Sequence, residues 1–177
     1  MRFVGIDPST KTGIVVLNDF GQVVESKELH LPNGIYSTSS ELQEYGREIM
    51  NLVPTDSLTC IEGFSYGSKG QGVSTQYGVG FSIRFAMEDA GLKFFEPTPS
   101  QVKKFATGKG NTSKDNMVIP IFKLWGFEDK SDNVRDAFVL AHIARAIQMG
   151  TANTKYQQEV IHAILSPSEK KKKGKVV

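Results

Sequence analysis

The sequence predicts an α/β protein, a mixed five-stranded sheet flanked by helices. Short runs rich in β-branched residues, joined by turn-forming tetrapeptides, fill the first 30 positions. Beyond them, short apolar runs alternate with segments of helical periodicity. Strands joined first by hairpins and then through helices need a sheet with antiparallel and parallel pairs, covered by helices.

Residues 2–6 read as the first strand, and Asp7-Pro8-Ser9-Thr10-Lys11 as a turn into a β-branched strand over 12–17. Asn18-Asp19-Phe20-Gly21 turns the chain into a third strand near 22–28. After the loop Leu31-Pro32-Asn33-Gly34, Ser39 or Ser40 caps a helix to about residue 53, with Leu42, Tyr45, Ile49, Leu52 and Val53 as its apolar contacts. A mostly apolar strand over 58–62 suits the middle of a sheet. Residues 63–72, rich in glycine and serine around Phe64 and Tyr66, form a loop. A helix over about 73–90 closes at Gly91, and its Gly78 and Gly80 would admit another backbone. A last strand over 93–95 stops at Glu96-Pro97-Thr98-Pro99, and a short helix covers 100–106. Ser113 caps a helix ending near Trp125-Gly126, and Ser131 or Asp132 starts a long one reaching about Met149. Residues 1–165 are thus expected as one domain, and 166–177 as a lysine-rich, disordered tail.

Composition limits the function classes. With 177 residues the chain suits one core, and 39% hydrophobic residues with no long apolar stretch argue for a protein in solution rather than in a bilayer. The start, Met1-Arg2-Phe3-Val4-Gly5-Ile6, enters a strand directly instead of resembling a signal peptide. The single cysteine, Cys60, permits no internal disulfide and reads as a buried small hydrophobe, which fits a cytoplasmic setting. Net charge is only +2, but Lys103, Lys104, Lys109, Lys114 and the run Lys170–Lys173 concentrate positive charge in the second half. Such clustering suits a polyanion. No G-x-x-x-x-G-K-[ST] string is present, and His30, His142 and His162 make no zinc pattern with Cys60.

Four carboxylates carry the chemistry. Asp7 ends the first apolar run and Glu62 ends the run Leu58-Thr59-Cys60-Ile61. Asp132 and Asp136, four apart, share a face at the start of the long helix, where the helix dipole tolerates negative charge. Each has a simpler reading: Asp7 could cap a turn, Glu62 face solvent, and Asp132 act as an N-cap. Acidic groups at two strand ends and a helix start can instead converge on folding. There they would hold hard cations that promote in-line attack on a phosphodiester. The residues therefore suggest a metal-dependent DNA nuclease.

Taken in order, Gly5-Ile6-Asp7-Pro8-Ser9, Ile61-Glu62, Val102-Lys103-Lys104, Thr107-Gly108-Lys109-Gly110, Lys114 and Asp132-Asn133-Val134-Arg135-Asp136-Ala137 resemble the RuvC-type Holliday-junction resolvases. The resemblance spans roughly residues 1–150. It implies a ribonuclease-H-like fold, with the first and fourth strands parallel neighbours, and a homodimer that nicks four-way DNA junctions symmetrically. It also implies two Mg²⁺ ions per active site, with Mn²⁺ as a substitute, and 5′-phosphate and 3′-hydroxyl ends. By position, Asp7, Glu62 and Asp136 match the metal-binding carboxylates, and Lys103 and Lys114 match lysines that face DNA. Lys114 is also expected to act in catalysis, and Lys104, Lys109 and Lys69 to contact DNA.

Two departures stand out. The family usually has aspartate or histidine where this chain has Asn133; Asp132 is the favoured fourth ligand and Asn133 its rival. The junction-probing aromatic also has no counterpart in register, although Phe64 and Tyr66 are candidates to stack on an unpaired base. Packing of Phe64 into the core is the simpler reading. The helix over 73–90 is the candidate dimer interface, and a helicase partner is left open. Competing functions are a broader fork and flap endonuclease, a non-catalytic junction-binding protein, and an actin-like ATP-binding fragment.

Overall fold

A computed structural model of the chain describes residues 1–65, 70 and 72–166. Five strands form one sheet in the order β3-β2-β1-β4-β5. β1 (Arg2–Asp7), β2 (Lys11–Leu17) and β3 (Val23–His30) are antiparallel neighbours. β4 (Ser57–Ile61) runs parallel to β1, and the two-residue β5 (Phe94–Phe95) runs parallel to β4. The helices are α1 (Ser39–Met50), α2 (Val73–Asp89), α3 (Pro99–Thr107), α4 (Val118–Trp125), α5 (Asp132–Met149) and α6 (Lys155–Leu165). Single 3₁₀ turns lie at Gly34–Tyr36 and Asp115–Met117.

Alternation along the strands divides the core into two layers. Val4, Ile6, Ile14, Val16 and Ile61 pack under α1 and α2, against Tyr45, Ile49, Val79, Ile83 and Met87. Phe3, Val15, Leu17, Leu58 and Cys60 face the other way, against α5 and the helices around it. All but six of the 18 residues of α5 are buried, which makes it the central helix of that layer. The expected mixed sheet with helices on both faces is therefore present, including the parallel β1–β4 pair.

Local capping differs from the expectation in two places. Thr38, not Ser39 or Ser40, caps α1 through a capping box with Glu41, and Thr98 does the same for α3 with Gln101. The helix expected after Ser113 begins as a 3₁₀ turn and becomes α-helical only at Val118. α6 was not foreseen. Its signals are nonetheless local: Thr154 and Gln157 form a capping box, and Val160, Ile161 and Ile164 pack against the core at helical spacing.

The glycines of α2 serve its own chain. A Cβ at Gly78 would stand 2.8 Å from the Leu42 side chain, and one at Gly80 2.5 Å from the Phe64 ring. The close backbone approach of α1 and α2 comes instead from Gly46, where a Cβ would meet the Ser82 carbonyl oxygen at 2.7 Å. Among the described residues no helix is long and apolar enough to cross a membrane. Tyr66, Lys69, the run Lys170–Lys173 and nearly all of the expected tail lie outside the described residues.

Candidate active site

β-Sheet pairing brings the first two carboxylates together. Ile6 pairs with Ile61 in the parallel β1–β4 ladder, and the Glu62 amide donates to the Ile6 carbonyl at 2.9 Å. Asp7 and Glu62 are thus the next residues on neighbouring strands. Asp7 shares a strand face with Phe3, and Glu62 continues the face of Leu58 and Cys60, so both side chains emerge toward α5.

Two missing side chains let α5 reach them. A Cβ at Gly5 would lie 1.9 Å from the Ala137 carbonyl oxygen and 2.4 Å from the Ala141 amide nitrogen. At Gly13, which pairs with Asp7 across the β1–β2 ladder, it would lie 2.2 Å from the Asn133 carbonyl oxygen. The first turns of α5 therefore rest directly on backbone at two points, and Asp136 lies between the contacting residues Asn133 and Ala137. The Ser131 hydroxyl caps the helix by accepting from the Val134 amide. Asp136 is 8% exposed at its side chain, whereas Asp132, one turn earlier, is 42% exposed.

The electrostatics show these groups acting on one another. Burial, followed by the charges of Glu62 and Asp136, raises the Asp7 pKa well above the usual aspartate range; Lys114 opposes the rise. Burial and Asp136 push Glu62 up to about 7, against Lys114 and Lys103. Asp136 rises to about 6, chiefly through burial, with Lys114 again opposing. Lys114, just before the 3₁₀ turn, donates to Asp132 at 2.5 Å and stands 3.8 Å from Asp136. Burial works against its charge, but the bond to Asp132 and the charges of Asp7 and Asp136 hold its pKa above the usual lysine value. The same bond lowers the Asp132 pKa. Among the described residues these four carboxylates have one close cation, Lys114, and two of them, Asp7 and Asp136, are buried.

The other residues singled out from the sequence divide. The charge of Lys103 is felt at both Glu62 and Asp136. Lys109 is exposed, in a loop that Thr107 ties together by bonding Thr112 and the carbonyls of Lys103 and Lys109. Lys104 turns away and pairs with Glu159 of α6 at 2.8 Å. Phe64 lies on α2 instead of in either core layer. Its ring stacks near Tyr77 and Phe81, with the Arg84 guanidinium 4.2 Å above it. Asn133 is drawn aside: its side-chain amide donates to Glu28 on β3 at 3.3 Å.

Two residues of the site went unnoticed in the sequence. Buried Arg84 donates to the Glu62 carbonyl at 2.9 Å, to the Gly80 carbonyl at 2.8 Å and to Glu96 at 2.6 Å. It fixes the chain just where it leaves β4. Glu28 receives the Ser131 hydroxyl and the Asn133 amide together with His30. Neither has a motif. An arginine in an amphipathic helix and a glutamate in a polar edge strand look like surface charges until the fold is known.

The donor set is all carboxylate oxygen, which suits a hard divalent cation. Burial, more than mutual repulsion, raises the pKa values of Asp7, Glu62 and Asp136, and added positive charge there would favour their ionised forms. Among the described residues no three His, Cys, Asp or Glu side chains stand close enough to form a ready-made cage. The oxygen donors and charge of Asp7, Glu62 and Asp136 suit such an ion.

Strand order, parallel β1–β4 pairing and a helix packed across them give a ribonuclease-H-like fold, with acidic side chains at the strand ends. No family model matches the chain. It is 27% identical over 153 residues to the crossover junction endodeoxyribonuclease RuvC of Syntrophomonas wolfei, covering 80% of this chain and 86% of that protein. It is likewise 27% identical over 174 residues to the RuvC of Corynebacterium glutamicum, covering 90% and 76%. In structure it matches Thermus thermophilus RuvC with a TM-score of 0.66 at 17% identity, over 85% of this chain and 98% of the other. The same protein solved in complex with a Holliday junction substrate matches with a TM-score of 0.65 at 15% identity, over 85% and 97%. Sequence and fold thus both resemble proteins named RuvC.

Proposed function

We propose that this protein is a divalent-metal-dependent DNA endonuclease that resolves four-way junctions. The observation that carries the reading is the convergence of Asp7, Glu62 and Asp136 from two strands and a helix, beside Lys114. Asp7 would serve as the shared ligand, since Glu62 and Asp136, and more weakly Asp132, act on its charge. Glu62, Asp136 and Asp132 would complete the shells of two Mg²⁺ ions, with Mn²⁺ a serviceable substitute. Bound there, the ions would supply a water of lowered pKa and a counter-charge for the leaving 3′ oxygen, giving 5′-phosphate and 3′-hydroxyl ends.

The chain's own groups do the remaining work. Lys114 would meet the negative charge that grows on the phosphate, and Lys103 lies within electrostatic reach of the same place. Lys109 would add backbone contacts to the DNA and increase the salt dependence of binding. Two sites acting symmetrically need a homodimer, and α2 supports it: Phe81 and Phe85 stack along its outer face, 45% and 60% exposed. The cytoplasm is the setting that such a substrate implies.

The test is nicking of an end-labelled immobile four-way junction with Mg²⁺, run beside forks and flaps of matched sequence. Asp7→Asn should abolish cleavage while gel-shift affinity for the junction survives. Cleavage that persists in Asp7→Asn, or in excess EDTA, would rule out the metal mechanism. Equal cutting of forks and flaps would broaden the substrate class.

A further inference from the structure

The start of α5 offers two neighbouring oxygen-bearing side chains: Asp132 bonds Lys114, while Asn133 bonds Glu28. We infer that Glu28, on the edge strand β3, makes this division as a positioning residue: it captures Asn133 and Ser131 and so leaves Asp132 as the group on the site side. The inference rests on the nuclease reading only in what it says of activity.

The contacts are specific. One oxygen of the Glu28 carboxylate receives both the Ser131 hydroxyl and the Asn133 amide, the latter at 3.3 Å, while the other lies 2.8 Å from the His30 ring nitrogen. The Ser131 hydroxyl also accepts from the Val134 amide at 3.3 Å. A hydroxyl has one proton, so donating it to Glu28 leaves the lone pairs facing the helix, as an N-cap requires. Glu28 therefore sets the rotor of the cap as well as the direction of Asn133. Gly13 makes the reach possible. It pairs with Glu28 across the β2–β3 ladder, and its bare Cα lets the Asn133 backbone settle on the sheet. Asp132 is left on the opposite side of the turn, bound to Lys114 and felt electrostatically by Asp7 and Asp136.

This arrangement accounts for an amide at 133. A carboxylate in its place would face the Glu28 carboxylate with no proton between them, so acid at 28 and acid at 133 repel each other. The site's fourth carboxylate then stands one residue earlier.

Thermal unfolding of the full-length protein in EDTA at pH 8 tests the pairing without reference to activity. The set is wild type, Asn133→Asp, Glu28→Gln and the double variant. Asn133→Asp should lower Tm by about 3 °C or more when Glu28 is intact. On the Glu28→Gln background the loss should be less than half as large, because the substituted amide can donate to the new carboxylate. Equal losses on both backgrounds would overturn the proposal. Single-turnover nicking supplies the second arm. Asp132→Asn should slow cleavage by about 100-fold or more and Asn133→Ser by no more than about threefold. Glu28→Ala should slow it about tenfold with junction affinity unchanged, and Glu28→Gln should recover most of that. The reverse ranking of positions 132 and 133 would also overturn it. If the wild-type protein nicks no junction at all, the nuclease reading fails, and the unfolding cycle still decides the role of Glu28.

Discussion

Replacing Glu62 by glutamine should make the metal-free protein more stable, although it removes a residue of the active site. Glu62 is a largely buried carboxylate beside Asp136, and its pKa rises from 4.5 to about 7. A folded-state value above the unfolded one means that the folded protein binds the proton more tightly. The group therefore favours the fold fully below about pH 4.5, and that contribution is lost as the pH rises through about 7. At pH 8 the ionised side chain costs the fold about 3 kcal/mol, at 1.36 kcal/mol for each tenfold change in proton affinity. Glutamine keeps the shape without the charge, so most of this cost disappears. For a chain of this size each kcal/mol moves Tm by about 2–4 °C, so Glu62→Gln should melt about 4–12 °C higher in EDTA at pH 8. The gap should close below pH 4.5. Added Mg²⁺ should raise the wild-type Tm more than the variant's, because the variant no longer has the buried Glu62 charge for the ion to offset. The assay is a thermal scan at several pH values, with and without Mg²⁺. A variant that melts at or below the wild-type temperature at pH 8 would refute the claim that the buried Glu62 charge costs the fold.

Gly5→Ala should cost at least about 3 kcal/mol in urea unfolding, since the new methyl would overlap the Ala137 carbonyl and only movement of α5 could make room. Arg84→Met should destabilise by about 2–4 kcal/mol by leaving the carbonyls of Glu62 and Gly80 without their donor, with Arg84→Lys intermediate; urea titration of the three proteins checks the order. His142, stacked on Trp125 and edge-on to Phe138, with its Nε2 unpartnered among the described residues, is pushed down to about 3 by burial, then by the charge of Arg145. The unfolded chain takes up that proton first, so stability falls as the pH drops from about 6.5 toward 3, by about 3 kcal/mol at pH 4.5. His142→Phe should remove this loss, seen as a smaller fall in Tm between pH 7 and pH 4.5.

Much of the fold was legible because it depends on local chemistry. β-Branched runs, an Asn-Asp-Phe-Gly turn and Gly91 and Gly126 as stops mark elements wherever they occur. The period-two face of β4 already turned Glu62 the way of Cys60, and i,i+4 spacing already put Asp132 and Asp136 on one face. α6 was missed although a Thr154–Gln157 capping box and apolar residues at helical spacing mark it in the sequence. Phe64 could be weighed only as core or DNA contact, since the third option, a ring held under Arg84 on α2, needs a partner 20 residues away.

By itself, then, the sequence determined which carboxylates end strands and begin a helix, and that lysines accompany them, because those properties follow from short-range pattern. Tertiary structure decided which of these groups share a site and how strongly. Contact between Gly5 and Ala137, the turn of Asn133 toward Glu28, the departure of Lys104 to Glu159 and the burial that lifts Glu62 all join residues far apart in the chain. Desolvation and Coulomb energies depend on distance and exposure in three dimensions, and spacing along a polymer specifies neither.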